Sequence, residues 1–332
     1  MKLLTRDGLL FTAVTTCVAR RRAFLGAALA AALLAGAAGC GRSAEGEEVT
    51  NLAPPPIAAG HPPGTVTLPI GSDVPTEVKK LQDAITSGGG TVLATVDNTA
   101  DADLLGVTIP PNTVVIGGPP AAGLPMLRGD QQAAAALPAR YLVTQDASGA
   151  ARLVYNGPDY VAVIAGATDP ALSSPFAQSV TQVADAAAGT SGTPKSAPLI
   201  GVTPTGFLRV ADSNATVPVA VTRVTVAATN RETAVSTQDL ATGSGVGGPA
   251  LRATTSVLLS APEFTTPLVQ AAPTFGLELP LRFVIWLNDK NITQVGYVDV
   301  GVLAARHGLK PDDAGVVKLA AECDRIAKIV SG

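Results

Sequence analysis

The sequence predicts an α+β protein in which one helix–antiparallel sheet–helix domain occurs twice in tandem. Two observations predict it: an internal repeat at a nearly constant offset, and the same order of hydrophobic periodicities in both halves. Val74-Pro75 recurs as Val217-Pro218, 143 residues later. At that offset Thr113-Val114-Val115-Ile116 aligns with Ser256-Val257-Leu258-Leu259, and Pro119 with Pro262. Farther along the offset becomes 142, so that Leu124-Pro125-Met126 meets Thr266-Pro267-Leu268, Leu137-Pro138 meets Leu279-Pro280, and Tyr155 meets Tyr297. Prolines, strand-like runs and tyrosine keep their order throughout, which is the mark of a duplicated unit.

Each half opens on a helix. Val74, Val78, Leu81 and Ile85 fall at i, i+4, i+7 and i+11, one apolar helical stripe. Ser72 or Asp73 supplies the N-cap, and Pro75 is tolerated in the first turn. The equivalent stretch from Val217 to Ala228 is so rich in Val and Thr that its helical character is weaker. Strand candidates follow at 91–96, 113–116, 139–144 and 152–155, and in the second half at 257–259, 281–287 and 292–298. Asp146-Ala147-Ser148-Gly149 and Asn288-Asp289-Lys290-Asn291 read as hairpin turns. A closing helix is marked by Leu172, Phe176, Val180 and Val183 in the first half, and by Val316, Leu319, Cys323, Ile326 and Val330 in the second. Hairpin-linked strands between two helices imply an antiparallel sheet covered on one face.

Ahead of the repeats lies an export signal. Arg20, Arg21 and Arg22 run into Ala23-Phe24-Leu25, and an apolar stretch from Ala27 to Ala38 ends at Gly39-Cys40. A charged n-region, a short apolar region and small residues before a cut site read as a secretory signal peptide. The apolar stretch is too short for a hydrocarbon core that needs about 20 residues. Paired arginines before Phe-Leu resemble a twin-arginine signal. Ala37-Ala38-Gly39-Cys40 resembles a bacterial lipobox, with Ala37 where a bulky aliphatic residue is usual, and implies that Cys40 is acylated. The expected organisation is a signal peptide at 1–39, a Pro/Gly-rich tether at 40–63, a first repeat at 64–189, a linker at 190–199 and a second repeat at 200–332. The address that follows is lipid-anchored to the cell membrane, facing outside the cytoplasm.

Without its signal the chain carries 18 basic and 25 acidic residues, a net charge near −7. That balance excludes a nucleic-acid partner, which wants a basic face, and leaves the acyl group as the membrane grip. Cys323 is the only cysteine beyond Cys40, so no structural disulfide within the chain is expected. Two histidines, His61 and His307, are too few for most His-rich metal sites. Gly243, Gly245 and Gly248 spell G-x-G-x-x-G, but Pro249 and a strand follow where a dinucleotide site needs a helix. We read a flexible loop there and expect no cofactor. Cys323 reads as a small core residue and Trp286 as part of a buried central strand.

The stretch Thr266-Pro267-Leu268-Val269-Gln270-Ala271-Ala272-Pro273-Thr274-Phe275-Gly276-Leu277-Glu278-Leu279-Pro280-Leu281 resembles the signature of domain-of-unknown-function family 302. Its elements are a Thr-Pro-Leu-Met-Gln turn, a Pro-x-Ile-Gly segment, and Leu-Asp-Leu-Pro-Leu before a strand. Leu303-Ala304-Ala305-Arg306-His307-Gly308-Leu309 resembles the family's closing Leu-Ala-x-Arg-His-x-Leu. The first copy lacks that ending but keeps Tyr155-Asn156-x-Pro158. It also keeps Asp97, with Asn98 where the family carries a histidine. The resemblance implies a fold like that of the TATA-binding protein and pairing as a homodimer, which a duplicated chain makes within itself as a pseudo-dimer. It implies no settled activity.

Candidate ligand-binding residues are Tyr297, Asp299, Arg306 and His307, grouped near the end of the second copy. One reading is a cluster for an anionic or polar ligand, in a groove between the copies or on the open sheet face. The other is a helix C-terminus, where Arg and His favour the dipole and Gly308 ends the turn. Ala165-Gly166 stand in the places of His307-Gly308, so any such site is single. Glu263 and Gln270 likewise differ from Pro120 and Arg128 in the matching region, against a catalytic set shared by both copies. Non-catalytic binding of a small molecule ranks first among the roles. A structural or protein-interaction module of the envelope comes second, and a hydrolase using a carboxylate pair third.

Overall fold

A computed structural model describes residues 60–332, except 147, 190–191, 204–205, 229–232, 243 and 246–247. The signal peptide, Cys40 and most of the tether lie outside the described residues. The first copy runs β1 (Thr65–Pro69), α1 (Val74–Ser87), β2 (Thr91–Asp97), α2 (Asn98–Leu104), β3 (Asn112–Gly118), α3 (Pro120–Gly129) and a 3-10 turn (Gln131–Ala135). It continues with β4 (Arg140–Gln145), β5 (Ala151–Asn156), α4 (Pro158–Ile164) and α5 (Pro170–Ala188), then β6 (Lys195–Ser196). The second copy runs β7 (Leu208–Ser213), α6 (Val217–Ala227), β8 (Thr233–Asp239), β9 (Thr254–Ser260) and α7 (Pro262–Ala271). A second 3-10 turn (Pro273–Glu278), β10 (Leu281–Leu287), β11 (Thr293–Val298), α8 (Val300–Arg306) and α9 (Ala314–Ser331) complete it.

The two antiparallel sheets have the same strand order. The first is β2-β3-β4-β5-β1-β6, and the second, from its other edge, is β8-β9-β10-β11-β7. Pairing fixes the repeat: Asp97 faces Thr113 as Asp239 faces Thr255, and Tyr141 faces Tyr155 as Phe283 faces Tyr297. The offset from β2 onward is therefore 142. This corrects the sequence alignment, in which the offset changed only after Pro119. Ile116 is equivalent to Leu258, and the missing residue falls between the first helix and the second strand of each copy.

Local chemistry explains the elements. Asp73 caps α1 by accepting the Thr76 N–H at 2.9 Å, and Val74, Leu81 and Ile85 are buried. The Val/Thr-rich segment from Val217 does form a helix, α6, because Val217, Ala220, Val224 and Ala227 form a buried stripe. Tertiary burial outweighs weak propensity there. Asp146 and Asn288 close equivalent hairpins by accepting N–H groups two residues on, from Ser148 and Lys290. The expected turn around Pro267 is instead inside α7, as Pro125 is inside α3. The expected linker contributes β6, which pairs with β1.

One face of each sheet is covered by its own long helices. The other face is covered by the opposite copy. The 3-10 turn at Gln131–Ala135 packs on β9, β10 and β11, and the turn at Pro273–Glu278 packs on β3, β4 and β5. Val114, Ile116, Leu142 and Val154 thus form one apolar cluster with Leu258 and Leu277, while Val284 and Trp286 join the core of the first copy. Each copy keeps a core of its own, and the exchanged turns make an isologous, pseudo-two-fold contact of the kind that joins symmetric dimers.

Candidate functional site

The exchange of turns places charge at the contact. Arg140 of β4 donates to the carbonyls of Leu277 at 3.5 Å and Pro280 at 2.8 Å, and to that of Glu278. Arg282, its equivalent on β10, donates to the carbonyls of Ala135 at 3.2 Å and Pro138 at 3.3 Å. Both arginines are buried, and burial lowers both their pKa values, that of Arg140 to about 10. Both prolines follow cis peptide bonds.

Around this symmetric clasp the second copy adds a single charged cluster. Glu278 ends the 3-10 turn and is buried. Its Oε1 accepts from Arg306 Nη1 at 2.5 Å and pairs with His307 Nε2 at 3.0 Å, and its Oε2 lies 3.9 Å from Arg140. Arg306 also donates to the Pro63 carbonyl at 2.9 Å and to Asn156 Oδ1 at 2.7 Å, and it lies 3.6 Å from the centre of the Tyr160 ring. His307 Nδ1 lies 2.9 Å from Thr274 Oγ1, and Phe275 meets its ring edge-on. Burial pushes the Glu278 carboxyl upward, but Arg306, the His307 hydrogen bond and Arg140 outweigh it and hold the pKa at about 2. Burial also lowers His307, against the opposing pull of Glu278. The consistent tautomer is neutral, with Nε2–H donated to Glu278 and Nδ1 accepting from Thr274.

This cluster spans the two copies, because Pro63, Asn156 and Tyr160 belong to the first and Glu278, Arg306 and His307 to the second. Apart from Arg140 Nε, which has no hydrogen-bond partner among the described residues, its polar groups are spent within the contact. The void beside it measures about 30 Å³, room for one or two waters and no ligand. A carboxylate held near pKa 2 and bonded to two cationic or hydrogen-bonding groups has no basicity left for proton abstraction. The cluster acts as a lock between the copies.

A second feature is concave. A cavity of about 400 Å³ lies beside α3 and α5, walled by Leu124, Leu127, Leu137, Tyr141, Phe176 and Val180 of the first copy. The second copy closes it with Gln238, Asp239, Leu240, Thr242 and Ser244. Arg128 on α3 ties that closing segment down through the carbonyls of Ser244 at 2.7 Å and Pro249 at 3.1 Å. Gln270, its equivalent on α7, reaches the Thr108 carbonyl of the first copy at 3.5 Å.

The model of the family described as "Domain of unknown function DUF302" matches residues 65–188 and 210–328, well over half of the chain. The chain belongs to the DUF302 family. Its two DUF302 copies coincide with the two sheets. A crystal structure of an uncharacterized conserved DUF302 protein from Bacillus stearothermophilus is similar at 18% identity, with a TM-score of 0.33. The match covers 37% of this chain and 94% of that one. No curated protein matches.

Of the four residues predicted for the site, the second DUF302 copy brings two together, Arg306 and His307. The helix C-terminus reading describes them: α8 ends at Arg306 with His307 as its C-cap, and Gly308 has a φ of 79°, while their side chains turn to Glu278 rather than to an open ligand site. Tyr297 is bonded to Asp324 on α9, and Asp299 caps α8 and pairs with Arg209 at 2.5 Å, on a more exposed part of the surface. The sheet face expected to be open is covered by the other copy. Glu278 and Arg140, central to the cluster, were not singled out in the sequence. A carboxylate between Leu277 and Leu279 carried the signal, since a charge within an apolar run needs a buried partner. An arginine two residues after the repeated proline in both copies was the other. Cys323 is buried on α9, and Trp286 lies on central strand β10. Gly243 lies outside the described residues; Gly245 and Gly248 lie in the loop between β8 and β9.

Proposed function

We propose that this DUF302 protein is a non-catalytic binding protein of the cell envelope, lipid-anchored through Cys40, whose body holds a small molecule. The observation that supports binding is the cavity of about 400 Å³ at the junction of the copies, within the size range of small-molecule sites. The ligand site of this reading is that cavity, away from Tyr297, Asp299, Arg306 and His307. Export and acylation rest on the twin-arginine pattern and on Ala37-Ala38-Gly39-Cys40. No helix among the described residues is long and apolar enough to cross a membrane. A carboxylate-pair hydrolase gains no support from Glu278, which faces Arg306, His307 and Arg140.

Native mass spectrometry of residues 41–332, purified without detergent, tests the binding reading. A single chain with a reproducible extra mass is the expected result. A bare chain whose mass is unmoved by metabolite extracts of the producing cell would overturn it. For the anchor, Cys40→Ser is expected to move the exported protein from the detergent phase to the aqueous phase in a detergent partition. Unchanged partition would remove acylation from the proposal.

A further inference from the structure

We infer that the cavity of the first copy takes an organic cation, an ammonium group on an apolar body. The body lies among Leu124, Leu127, Leu137, Phe176 and Val180, and the ammonium group lies at the rim against Asp239. The inference rests on the binding reading above and names the chemical class of its ligand.

The cavity is a product of divergence between the copies. At equivalent positions the first copy has Gly117, Ala122, Gly123 and Ala139, where the second has Leu259, Phe264, Thr265 and Leu281. The large residues fill in the second copy what the small ones leave empty in the first. The covering segments differ in the same sense. Asp97 at the end of β2 caps helix α2 by accepting the N–H groups of Thr99 and Ala100. Helix α2 packs on α7, and Ala102 and Ile109 are buried in the core of the second copy. Asp239, the equivalent of Asp97, ends β8, and the described residues after it form no helix to lay on α3. Small residues in the wall and the lack of a covering helix together leave the space and put Asp239 on its rim.

The lining suits both halves of such a molecule. Its wall is mostly apolar, and burial of the apolar body there is the main source of affinity. Asp239 is the one charged residue of the lining, and it is exposed, so a cation that meets it keeps part of its hydration. An anion would face that carboxylate with no Lys, Arg or His in the lining to oppose it. A metal ion is a poor occupant, because hard cations take several oxygen ligands and the lining offers a single carboxylate.

The Asp239 carboxylate is charged and has no cation of its own. The Thr242 hydroxyl donates to its Oδ2 at 2.6 Å, and the N–H groups of Ala241 and Thr242 donate to its Oδ1 at 2.9 and 3.3 Å. Those bonds, that of the Thr242 hydroxyl foremost, hold its carboxyl below the ordinary range, so it is ionised at neutral pH. Their donors are neutral and leave the charge in place. Among the described residues no Lys, Arg or His pairs with it. Arg128, which ties down the same segment, is turned to the carbonyls of Ser244 and Pro249. With one bond accepted, Oδ2 keeps a lone pair for an ammonium donor.

The test is calorimetric titration of residues 41–332 at low salt with three probes of one chain length: octylammonium, 1-octanol and octanoate. Octylammonium is expected to bind roughly threefold more tightly than octanol and roughly tenfold more tightly than octanoate, which is the size of effect an exposed ion pair supports. Asp239→Asn, which keeps an acceptor for the N–H groups of the turn, should bring the three affinities together. Added salt should narrow the spread in the unaltered protein, because the pair is exposed. Ala122→Phe and Ala139→Leu, which install the residue types of the second copy, should each abolish binding of all three in a folded protein. Octanoate binding as tightly as octylammonium, or a preference for octylammonium that neither Asp239→Asn nor salt reduces, would overturn the inference. If all three bind alike and Ala122→Phe removes them, the cationic class is wrong and the binding reading stands. The same holds if no probe binds but the native mass spectrum shows an adduct that Ala122→Phe removes. If there is neither probe binding nor adduct, both are wrong.

Discussion

Arg140 and Arg282 reach in opposite directions across the same contact, each donating to the carbonyl of the cis-proline in front of the other: Arg140 to Pro280, Arg282 to Pro138. Neither arginine is chiefly neutralised by a carboxylate; backbone oxygens carry most of the load. Removing one side chain strands those buried carbonyls as well as losing the guanidinium bonds. Arg282→Met is expected to destabilise the body by about 2–4 kcal/mol, read as a lower urea midpoint, because unmet buried groups cost more than the bonds themselves contribute. Arg140→Met should cost more, since it also loosens Glu278. A midpoint unchanged in both variants would show that the clasp contributes nothing.

Among the described residues, Glu278 is the carboxylate that faces both Arg306 and Arg140 in the charged lock. Glu278→Gln keeps the volume and removes the charge, leaving Arg306 buried with a neutral partner. Breaking a buried pair from one side costs about 3–5 kcal/mol. Chemical denaturation of the variant checks this. A loss below about 1 kcal/mol would mean that Arg306 is satisfied by Pro63, Asn156 and Tyr160 alone.

The pH dependence has two steps. His307 is held below its ordinary value of 6.5, so the unfolded chain takes up the proton first. Its contribution is complete above about pH 6.5 and is lost as pH falls from there. Glu278, held at about 2 against an ordinary 4.5, stabilises above about pH 4.5, and that contribution is lost as pH falls toward 2. Urea midpoints measured from pH 8 to pH 3 in a His61→Asn background should fall first between pH 7 and 5, then again below 4.5. His307→Gln should flatten the first fall and keep the second. Two identical curves would exclude His307 as the titrating group.

Gly276 of the second 3-10 turn sits against Asn112 of β3. A Cβ there would lie 2.2 Å from Asn112 Oδ1, whose amide donates to the Pro273 carbonyl at 2.7 Å. Gly276→Ala should therefore break the bond between the copies and lower the thermal midpoint by several degrees, a destabilisation of about 1–3 kcal/mol. Gly276→Ala in an Asn112→Gly background should recover part of the loss. No recovery would place the strain elsewhere.

The sequence was most informative where periodicity is long. The stripes of α1, α5 and α9 and the strands from β9 to β11 could be read because apolar spacing repeats over many residues. β1 and β7 were missed: Thr65–Pro69 adjoins a proline-rich stretch, and Leu208–Ser213 carries Arg209 and Asp212 among its apolar residues. Short helices such as α3 and α7 were hidden by their internal prolines, Pro125 and Pro267, because a proline beyond the first turn removes a helical N–H bond and argues for a turn. At the site, Arg306 and His307 were visible as adjacent charged residues. Glu278 meets them within the second copy, 28 and 29 positions away, and Arg140 joins only through the exchange of turns, 138 positions from Glu278, separations that no local pattern records.

The charged lock and the cavity stand at non-equivalent places, one centred on Glu278, Arg306 and His307, whose counterparts in the first copy are Ala136, Ile164 and Ala165, the other walled mainly by the first copy. Two identical subunits could not have diverged in this way, because every substitution in a homodimer appears on both sides of the axis at once. Joining the copies in one polypeptide makes each half separately mutable while keeping the partner always at hand. One half is thereby free to accumulate cohesion and the other to accumulate room.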